Sequence, residues 1–369
     1  MAKSNYYIGL MSGTSLDGVD TVLVDFKQRP PRLVACYSHP ISPRLKETLL
    51  EIINPKWRGS LSSIGSLHQQ LGTLYADACK QLIQQQEIDK ELITAIGSHG
   101  QTVWHQPYGE HPFSLQLGDA SIITELTNIT TVADFRSRDI AAEGQGAPLV
   151  PAFHQEFLAH PDKNRIILNI GGLANITILP ASNKQKTTGF DTGPGNGLLD
   201  AWVLQNKKMD FDSDGNWAQS GNILDDVLKQ LLNDPYFSMQ APKSTGKELF
   251  NLKWLKGKIK KPLNTYKKED IQATLTELTA ITISDNIKNC DELYVCGGGL
   301  RNKYLMKRIT NHLPNIPISS TQELGIDPDW MEATAFAWLA KRNIEGKPGN
   351  LSSVTGAKGN RILGALHKA

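Results

Sequence analysis

Small, hydroxylated and acidic residues crowd together at positions 9–20, in the stretch GLMSGTSLDGVD. Glycines in such a turn expose backbone amides to phosphate oxygens, and hydroxyl groups at Ser12, Thr14 and Ser15 would add donors. Asp17 or Asp20 could hold magnesium, directly or through water, because that ion prefers oxygen ligands. The same residue types also form ordinary hairpin tips, so this stretch alone leaves both interpretations open.

Asp191 is a further acidic residue in a glycine-rich setting, within TGFDTGPGNGLLD (188–200). Glycine and proline directly after it prevent a regular strand or helix from continuing. Asp191 could therefore be a general base on a rigid loop, or the N-cap of a helix that begins near Gly197. Composition does not decide between the two.

Polar residues that could contact a small ligand occur at three further places. Arg136, in DFRSRDIAAEGQGAPLVP (134–151), could bind a carboxylate or phosphate, or could pair with a nearby acid and only fix the loop. His99, in GSHGQTVWHQP, suits the lining of a sugar or base pocket, and no third metal ligand lies near it and His105. Glu332 precedes the apolar run AFAWLA and could simply begin a buried helix.

The glycine turns follow predicted strands, which is where α/β proteins place ligand loops. In the first half we predict strands at 6–11, 19–26 and 92–98 and a helix at 61–87. In the second half, 165–179 is predicted as strand, Gly171-Gly172 turn and strand, followed by a helix at 271–288 and a buried strand before Gly297–Gly299. The order suggests two α/β units of similar topology, divided between residues 130 and 164.

Length and composition limit the class of protein. A chain of 369 residues predicts two domains with a ligand cleft, and a net charge of +2 argues against nucleic acid as a partner. Four cysteines without a CxxC pair fit a reducing compartment, and no apolar run predicts a signal peptide or membrane span, so we expect a cytoplasmic protein. Neither the P-loop motif, nor GxGxxG, nor the protein-kinase motifs occur.

Taken in order, nine segments resemble the anhydro-N-acetylmuramic acid kinases, across essentially the whole chain. They are GLMSGTSLDGVD, GSHGQTVWH, LQLGDAS, ADFRSRDIAAEGQGAPLVP, LNIGGLANIT, FDTGPGN, PKSTGKELF, CGGGLRN and GNLSSVTGA. The resemblance implies an α/β fold of two duplicated actin-like (ribonuclease H-like) domains around a central ATP cleft. We expect an N-terminal domain over 1–134, which the C-terminal tail could complete, and a second domain over 135–369.

The implied activity uses ATP and Mg²⁺ to phosphorylate O6 of 1,6-anhydro-N-acetylmuramic acid, while water opens its internal ether during cell-wall recycling. Asp191 matches the catalytic base, and His99, Arg136 and Glu332 are the sugar contacts we expect. Asp17 and Asp20 are the expected metal ligands, and a homodimer is expected from the resemblance alone. The expected ATP-binding residues are Gly13, Thr14, Ser15, Leu16, Asp17, Gly18, Val19, Asp20, Gly171, Gly172, Asn175, Gly297, Gly298 and Gly299.

Two positions depart from the family pattern: Glu143 where glycine is expected, and Ser352 where proline is expected. Glu143 could weaken affinity for the substrate carboxylate or could point to solvent. Neither departure touches Asp191 or the glycine turns, so we expect activity to be retained. The alternatives on the same fold are a non-catalytic binding protein switched by nucleotide and a kinase for another sugar, which would need no hydrolytic water.

Overall fold

The computed structural model describes residues 5–13, 16–54, 56–181, 185–241, 243–246 and 249–369, so Thr14 and Ser15 lie outside the described residues. The chain divides into two compact units, one formed by 1–157 together with 325–369 and the other by 158–324. Among the described helices, none combines the length and the apolar character that crossing a bilayer requires.

Strands and helices alternate in both units. The strands are β1 (Tyr6–Met11), β2 (Gly18–Asp25), β3 (Arg32–Pro40), β4 (Ile93–Ser98), β5 (Gln101–Gln106), β6 (Phe113–Leu117), β7 (Thr131–Ala133), β8 (Arg165–Ile170), β9 (Leu173–Leu179), β10 (Thr188–Pro194), β11 (Glu292–Cys296), β12 (Ile318–Ser320) and β13 (Ala365–His367). The helices are α1 (Pro43–Ile53), α2 (Leu61–Gln85), α3 (Ala120–Thr127), α4 (Ser137–Ile140), α5 (Val150–Leu158), α6 (Asn196–Lys207), α7 (Asn216–Gln219), α8 (Asp225–Leu232), α9 (Pro235–Ser238), α10 (Leu252–Lys258), α11 (Lys268–Ser284), α12 (Lys303–His312), α13 (Met331–Ile344) and α14 (Ser352–Thr355).

The sheets of the two units share one topology. In the first unit the strand order is β13-β7-β4-β1-β2-β3, and in the second it is β10-β9-β8-β11-β12. Each sheet contains an antiparallel meander of three strands, whose first strand pairs in parallel with the fourth. The fourth strand then pairs in parallel with the fifth. The predicted duplication is confirmed, with β13 added to the first sheet as an antiparallel edge strand.

The helices form where the apolar spacing predicts them. In α2, Leu67, Leu71, Ala78 and Leu82 recur at helical spacing and are buried against the first sheet. Ser60 caps this helix by accepting a hydrogen bond from Ser63 N. In the second unit, α11 buries residues on nearly all sides, because it packs on β10 as well as on α6, α7, α8 and α12.

The division between the units falls at 157/158, inside the expected range of 130–164 but away from the expected 134/135. Residues after 134 remain with the first unit because they bond to its C-terminal segment. Gln145 N donates to Thr355 O at 2.8 Å, and Lys358 N donates to Ala142 O at 2.7 Å. The tail therefore completes the first unit through β13 and through this loop.

Two glycines allow α13 to lie directly on the first sheet. Gly9 of β1 and Gly97 of β4 are partners in the parallel ladder. A β-carbon at Gly9 would lie 1.9 Å from Ala333 O, and one at Gly97 would lie 2.1 Å from Phe336 O. Only glycine permits this approach. The close contact between helix and sheet fixes the N-terminal turn of α13, where Glu332 lies.

Candidate functional site

The turn between β1 and β2 is compact in its described part. Leu16 adopts a left-handed backbone (φ +58°), and its N–H donates to Gly13 O at 3.4 Å. Leu16 and Val19 are fully buried, so their side chains belong to the core and only their backbone can line a phosphate site. Gly18 begins β2, where a β-carbon would lie 2.9 Å from His39 O.

Ser12 differs from its expected role as a hydroxyl donor toward phosphate. Its side chain is buried, and Oγ donates to Gln101 Oε1 at 2.7 Å. The Tyr75 hydroxyl lies 2.8 Å from the same Oγ and is the donor of that bond, because the Ser12 proton is used toward Gln101. The hydroxyl of Ser12 thus ties the end of β1 to α2 and to the start of β5.

The two expected metal ligands differ in their surroundings. Asp17 is 72% exposed in its side chain and accepts a 2.6 Å bond from Lys46 Nζ, which already neutralises its charge. Asp20 accepts from Ser38 Oγ at 3.0 Å, while burial, together with the nearby charge of Asp329, raises its pKa. A cation would relieve this repulsion, so Asp20 fits Mg²⁺ better than Asp17 does. Within the described residues no group of three His, Cys, Asp or Glu side chains could hold a metal.

His99 and Arg136 are brought into direct contact in the first unit. Nη2 of Arg136 lies 2.7 Å from His99 Nε2, and Nη1 donates to Gly146 O at 2.7 Å. Burial, reinforced by the Arg136 charge, lowers the pKa of His99 well below its usual 6.5, with a backbone contact at Gly100 opposing. Because arginine only donates, neutral His99 accepts at Nε2 and carries its proton on Nδ1.

Arg136 keeps its charge although its guanidinium group is largely shielded from solvent. Burial lowers its pKa to about 10, and the carboxylates of Glu332 and Asp139 oppose that effect. Glu332 lies in the first turn of α13 and is close enough to act on Arg136 electrostatically. The three expected sugar contacts, His99, Arg136 and Glu332, are thus assembled in one unit.

Asp139 is a buried acid that we did not single out for the site from the sequence. Its side chain is fully buried, and its carboxyl group accepts hydrogen bonds from Gly146 N, Asn350 Nδ2 and Thr355 Oγ1. The only signal in the sequence was its place beside Arg136 in DFRSRD, which fits a local ion pair equally well. Its partners lie as many as 216 residues away.

The two departures from the family pattern have local explanations. Glu143 is exposed and forms an ion pair with Lys358, so its charge is balanced at the surface. It adopts a left-handed backbone (φ +66°), which glycine would adopt without strain. Ser352 begins α14 and donates from its N–H to Asn360 Oδ1 at 2.9 Å, a bond that proline cannot make.

Asp191 lies within β10, and the N-cap of α6 is Gly195, so the N-cap interpretation of Asp191 is wrong. Three groups from residues 236–245 hold it. Asp191 N–H donates to Lys243 O at 3.1 Å, and Thr245 N–H donates to Asp191 Oδ2 at 2.9 Å. The Tyr236 hydroxyl donates to Asp191 O at 2.8 Å. Main chain and carboxylate are therefore both fixed.

Tyr236 and Lys243 were not predicted as site residues. Burial and the charge of Asp191 raise the pKa of Tyr236, which keeps its hydroxyl a donor. The Lys243 ammonium lies 4.9 Å from the centroid of the Tyr236 ring, and burial lowers the pKa of Lys243. The motif PKSTGKELF was a signal for this segment, but nothing in it indicated that its backbone would bind Asp191.

The glycine turns of the second unit meet at the carboxyl ends of β8 and β11. Gly195 and Gly197, at the start of α6, donate from their N–H groups to Gly172 O at 3.1 and 3.0 Å. Gly297 has φ +81°, and a β-carbon there would lie 2.3 Å from Asn169 Oδ1. A β-carbon at Gly299 would lie 2.2 Å from Ile170 Cγ2, whereas Gly298 has no atom closer than 3.9 Å.

A row of polar residues crosses the second sheet next to these turns. Asn175 of β9 pairs with Asn169 of β8 on one side and with Asp191 of β10 on the other. Directly opposite residues of neighbouring strands lie on the same face of a sheet. Asn175 therefore lies between Asp191 of β10 and Asn169 of β8, the strand that directly precedes Gly171.

Two α/β units of one topology, each with a glycine turn after its first parallel strand, define a duplicated actin-like fold. The chain belongs to the anhydro-N-acetylmuramic acid kinase family, whose model matches residues 5–369. It is 50% identical over 367 residues to proteins named anhydro-N-acetylmuramic acid kinase from Coxiella burnetii strains, covering 98% of this chain and 97% of theirs.

Solved structures match along most of the chain at low identity. A Clostridium difficile activator of 2-hydroxyisocaproyl-CoA dehydratase, with bound ADPNP, is 13% identical at a TM-score of 0.44, covering 92% of this chain and 96% of that one. A Streptomyces griseus glucokinase of the ROK family, in complex with glucose and AMPPNP, is 9% identical at a TM-score of 0.41, covering 91% and 99%.

Proposed function

We propose that this chain uses ATP to phosphorylate O6 of 1,6-anhydro-N-acetylmuramic acid as water opens the internal glycosidic bond, in cell-wall recycling. Water attacks the anomeric carbon and gives its proton to Asp191. The bond from that carbon to O6 breaks, and O6 takes the γ-phosphoryl group, so that ADP leaves. No second acid is needed to protonate the leaving oxygen, because the phosphoryl group captures it.

The observation that carries this proposal is the fixation of Asp191 at three points by Tyr236, Lys243 and Thr245. A general base must be held within hydrogen-bond reach of the water that it deprotonates. A carboxylate whose main chain and Oδ2 are both hydrogen-bonded cannot swing away between turnovers. Such fixation supports a base that acts by position, which is what attack by water requires.

The assembly around Arg136 supports recognition of an acidic amino sugar. A guanidinium with two N–H groups bound by Gly146 O and His99 Nε2 presents its remaining donors in a fixed direction. Neutral His99 and the carboxylate of Glu332 suit sugar hydroxyl and amide groups, whereas Arg136 suits a carboxylate. We assign substrate binding to these three residues.

ATP binding is assigned to the backbone of Gly13–Asp20 in the first unit and to Gly171, Gly172, Asn175 and Gly297–Gly299 in the second. Gly297 and Gly299 support this assignment, because a β-carbon at either position would collide with Asn169 or Ile170. Asp20 would hold Mg²⁺, which supplies charge neutralisation for the phosphates. A cytoplasmic location and a homodimer remain predictions, and analytical ultracentrifugation tests the second.

The test measures ADP release from ATP and Mg²⁺ with and without 1,6-anhydro-N-acetylmuramic acid, in water enriched in ¹⁸O. We expect ADP release that depends on the sugar, with ¹⁸O at the anomeric hydroxyl of the product. Asp191→Asn should lower kcat by about 10²- to 10⁴-fold, the usual contribution of a general base. Asp210→Asn, an exposed aspartate of the same unit, is the matched control and should leave kcat unchanged.

Two outcomes would contradict the proposal in different ways. Without stimulation by this sugar, the substrate assignment fails, and a nucleotide-switched binding protein or a kinase for another sugar remains. Stimulation without ¹⁸O in the product would retain the kinase step and remove the hydrolytic one. In that case Asp191 would deprotonate a hydroxyl group of the substrate rather than water.

A further inference from the structure

The segment GNLSSVTGA (349–357) has no part in the chemistry proposed above, yet it holds two deeply buried polar side chains. Asn350 is 2% exposed and Thr355 is fully buried. Both donate to one atom, Oδ1 of Asp139, the hydroxyl of Thr355 at 2.8 Å. Buried polar groups are costly unless they are hydrogen-bonded, so this arrangement of three side chains is tightly determined.

The other carboxyl oxygen of Asp139 holds the loop at 144–146. Gly146 N–H donates to Asp139 Oδ2 at 2.8 Å, and Gly144 N–H donates to the Asp139 carbonyl at 2.9 Å. Gln145 N–H donates to Thr355 O at 2.8 Å. Three successive residues of the loop are therefore bound either to Asp139 or to its partner Thr355.

This loop in turn holds Arg136. Gly146 uses its N–H toward Asp139 and its carbonyl toward Nη1 of Arg136, while Nη2 of Arg136 contacts His99. A continuous series of hydrogen bonds thus leads from Thr355 through Asp139 and Gly146 to Arg136. If Asp139 lost a donor, the Gly146 carbonyl could shift and the guanidinium could rotate about its long side chain.

We propose that Asp139, fixed by Asn350 and Thr355, is a positioning residue that sets the direction of Arg136 for the carboxylate of the sugar substrate. This inference rests on the proposed function, because it takes Arg136 as a sugar contact. It assigns the C-terminal GNLSSVTGA segment to substrate recognition through its hydrogen bonds to Asp139. Loss of a hydrogen bond along the series from Thr355 to Arg136 should weaken sugar binding and leave ATP binding intact.

Thr355 offers a matched pair of variants. Thr355→Val keeps the shape and removes the hydroxyl, whereas Thr355→Ser keeps the hydroxyl. We expect Thr355→Val to raise the KM for the sugar by about threefold to tenfold, with the KM for ATP within about twofold of the wild type. Thr355→Ser should restore the wild-type KM for the sugar. Should Thr355→Val not fold, Asn350→Ser removes the other donor to the same oxygen and carries the same expectation.

Asn343→Ala controls for general loosening of the C-terminal tail. Asn343 of α13 donates from Nδ2 to Leu363 O and Gly364 O at 2.6 and 2.9 Å, and among the described residues neither of these bonds leads to Arg136. We expect a lower Tm for this variant with an unchanged KM for the sugar. An equal rise of the sugar KM in Asn343→Ala and Thr355→Val, or a parallel rise of both KM values in Thr355→Val, would overturn the positioning role.

A second readout needs no turnover. In protein labelled with ¹⁵N-histidine, the Nε2 resonance of His99 reports the bond that it accepts from Arg136, and His99→Gln assigns the signal. We expect Thr355→Val to shift this resonance and Thr355→Ser to leave it in place; no shift in either would overturn the proposal. Absence of sugar-dependent turnover in the wild type would overturn the proposed function alone, because the His99 resonance does not depend on turnover.

Discussion

Tyr236 donates a 2.8 Å hydrogen bond from its hydroxyl to the main-chain carbonyl of Asp191. Asp191 lies on β10, an edge strand of the second sheet, where the described residues place no further strand on one side of the backbone. Tyr236 and the carbonyl of Lys243 take the place of that neighbour, since they satisfy the outward-facing C=O and N–H of Asp191. The position of the proposed base therefore depends on a side chain 45 residues away.

Tyr236→Phe should lower kcat by about threefold to tenfold, because it removes one hydrogen bond, worth about 0.5–1.5 kcal/mol, from the support of Asp191. The KM values for sugar and ATP should not change, since Tyr236 supports the base rather than either substrate. Steady-state kinetics in both substrates measure this. Tyr266→Phe, a half-buried tyrosine of the same unit, is the control. A changed KM with normal kcat in Tyr236→Phe would contradict the supporting role.

The buried pair of bonds at Ser12 predicts unequal effects of two substitutions. Ser12→Ala leaves both the Tyr75 hydroxyl and Gln101 Oε1 without a partner, whereas Tyr75→Phe removes a donor and leaves the bond from Ser12 to Gln101 intact. An unsatisfied buried polar group costs about 1–3 kcal/mol, so Ser12→Ala should lower the free energy of unfolding clearly more than Tyr75→Phe.

Urea denaturation of the two single variants and the double variant measures this difference. Because both substitutions act on one network, we expect the double variant to be less destabilised than the sum of the two single effects. Additive effects, or a larger loss in Tyr75→Phe than in Ser12→Ala, would contradict the arrangement.

Several elements of both units were predictable from the sequence, because their signals are local. The spacing of Leu67, Leu71 and Leu82 indicated α2, and the apolar runs before Gly171 and Gly297 indicated β8 and β11. Register and hydrogen-bond direction were not predictable. The hydroxyl of Ser12 bonds to Tyr75 and Gln101, and no local pattern could indicate partners that lie 63 and 89 residues away.

Asp139 illustrates the same limit for the candidate site. In the sequence it stands beside two arginines, which suggests a local ion pair, but its side chain bonds to residues 211 and 216 positions away. Only the fold brings the C-terminal segment to this loop. His99, Arg136 and Glu332 stay predictions as sugar contacts, and nothing in the sequence indicated what holds Arg136 in place.

Glu143→Gly should stabilise the protein. Glu143 has a left-handed backbone (φ +66°), which costs about 1–2 kcal/mol for a residue with a β-carbon, and its ion pair with Lys358 is exposed and contributes little. Glycine removes the strain but adds freedom to the unfolded chain, for a net gain of about 0.5–1 kcal/mol. Urea denaturation measures it. Glu143→Ala, which loses the ion pair and keeps the strain, is the control and should show no gain; equal stability of the two variants would contradict the argument.

The stability of the protein should fall below about pH 6.5 because of its buried histidines. His154 of α5 is 3% exposed, and burial lowers its pKa to about 3; His99 is lowered in the same direction. In the unfolded chain both titrate near pH 6.5, so below that value the unfolded state binds more protons than the folded one. The free energy of unfolding then decreases with falling pH, by about 1.4 kcal/mol per pH unit for each such histidine.

Urea denaturation at about pH 7.5, 6.5 and 5.5 compares the pH dependence of the free energy of unfolding in the wild type and in His154→Gln. Between the two lower pH values we expect the free energy of unfolding to fall less in the variant than in the wild type. The difference should equal the contribution of one histidine, whatever the stability of the variant at neutral pH. Carboxylates titrate alike in both proteins and cancel in the comparison. His111→Gln, whose side chain is 91% exposed in the wild type, should retain the full pH dependence. Equal slopes for the wild type and His154→Gln would mean that His154 is protonated in the folded protein, against its burial in α5.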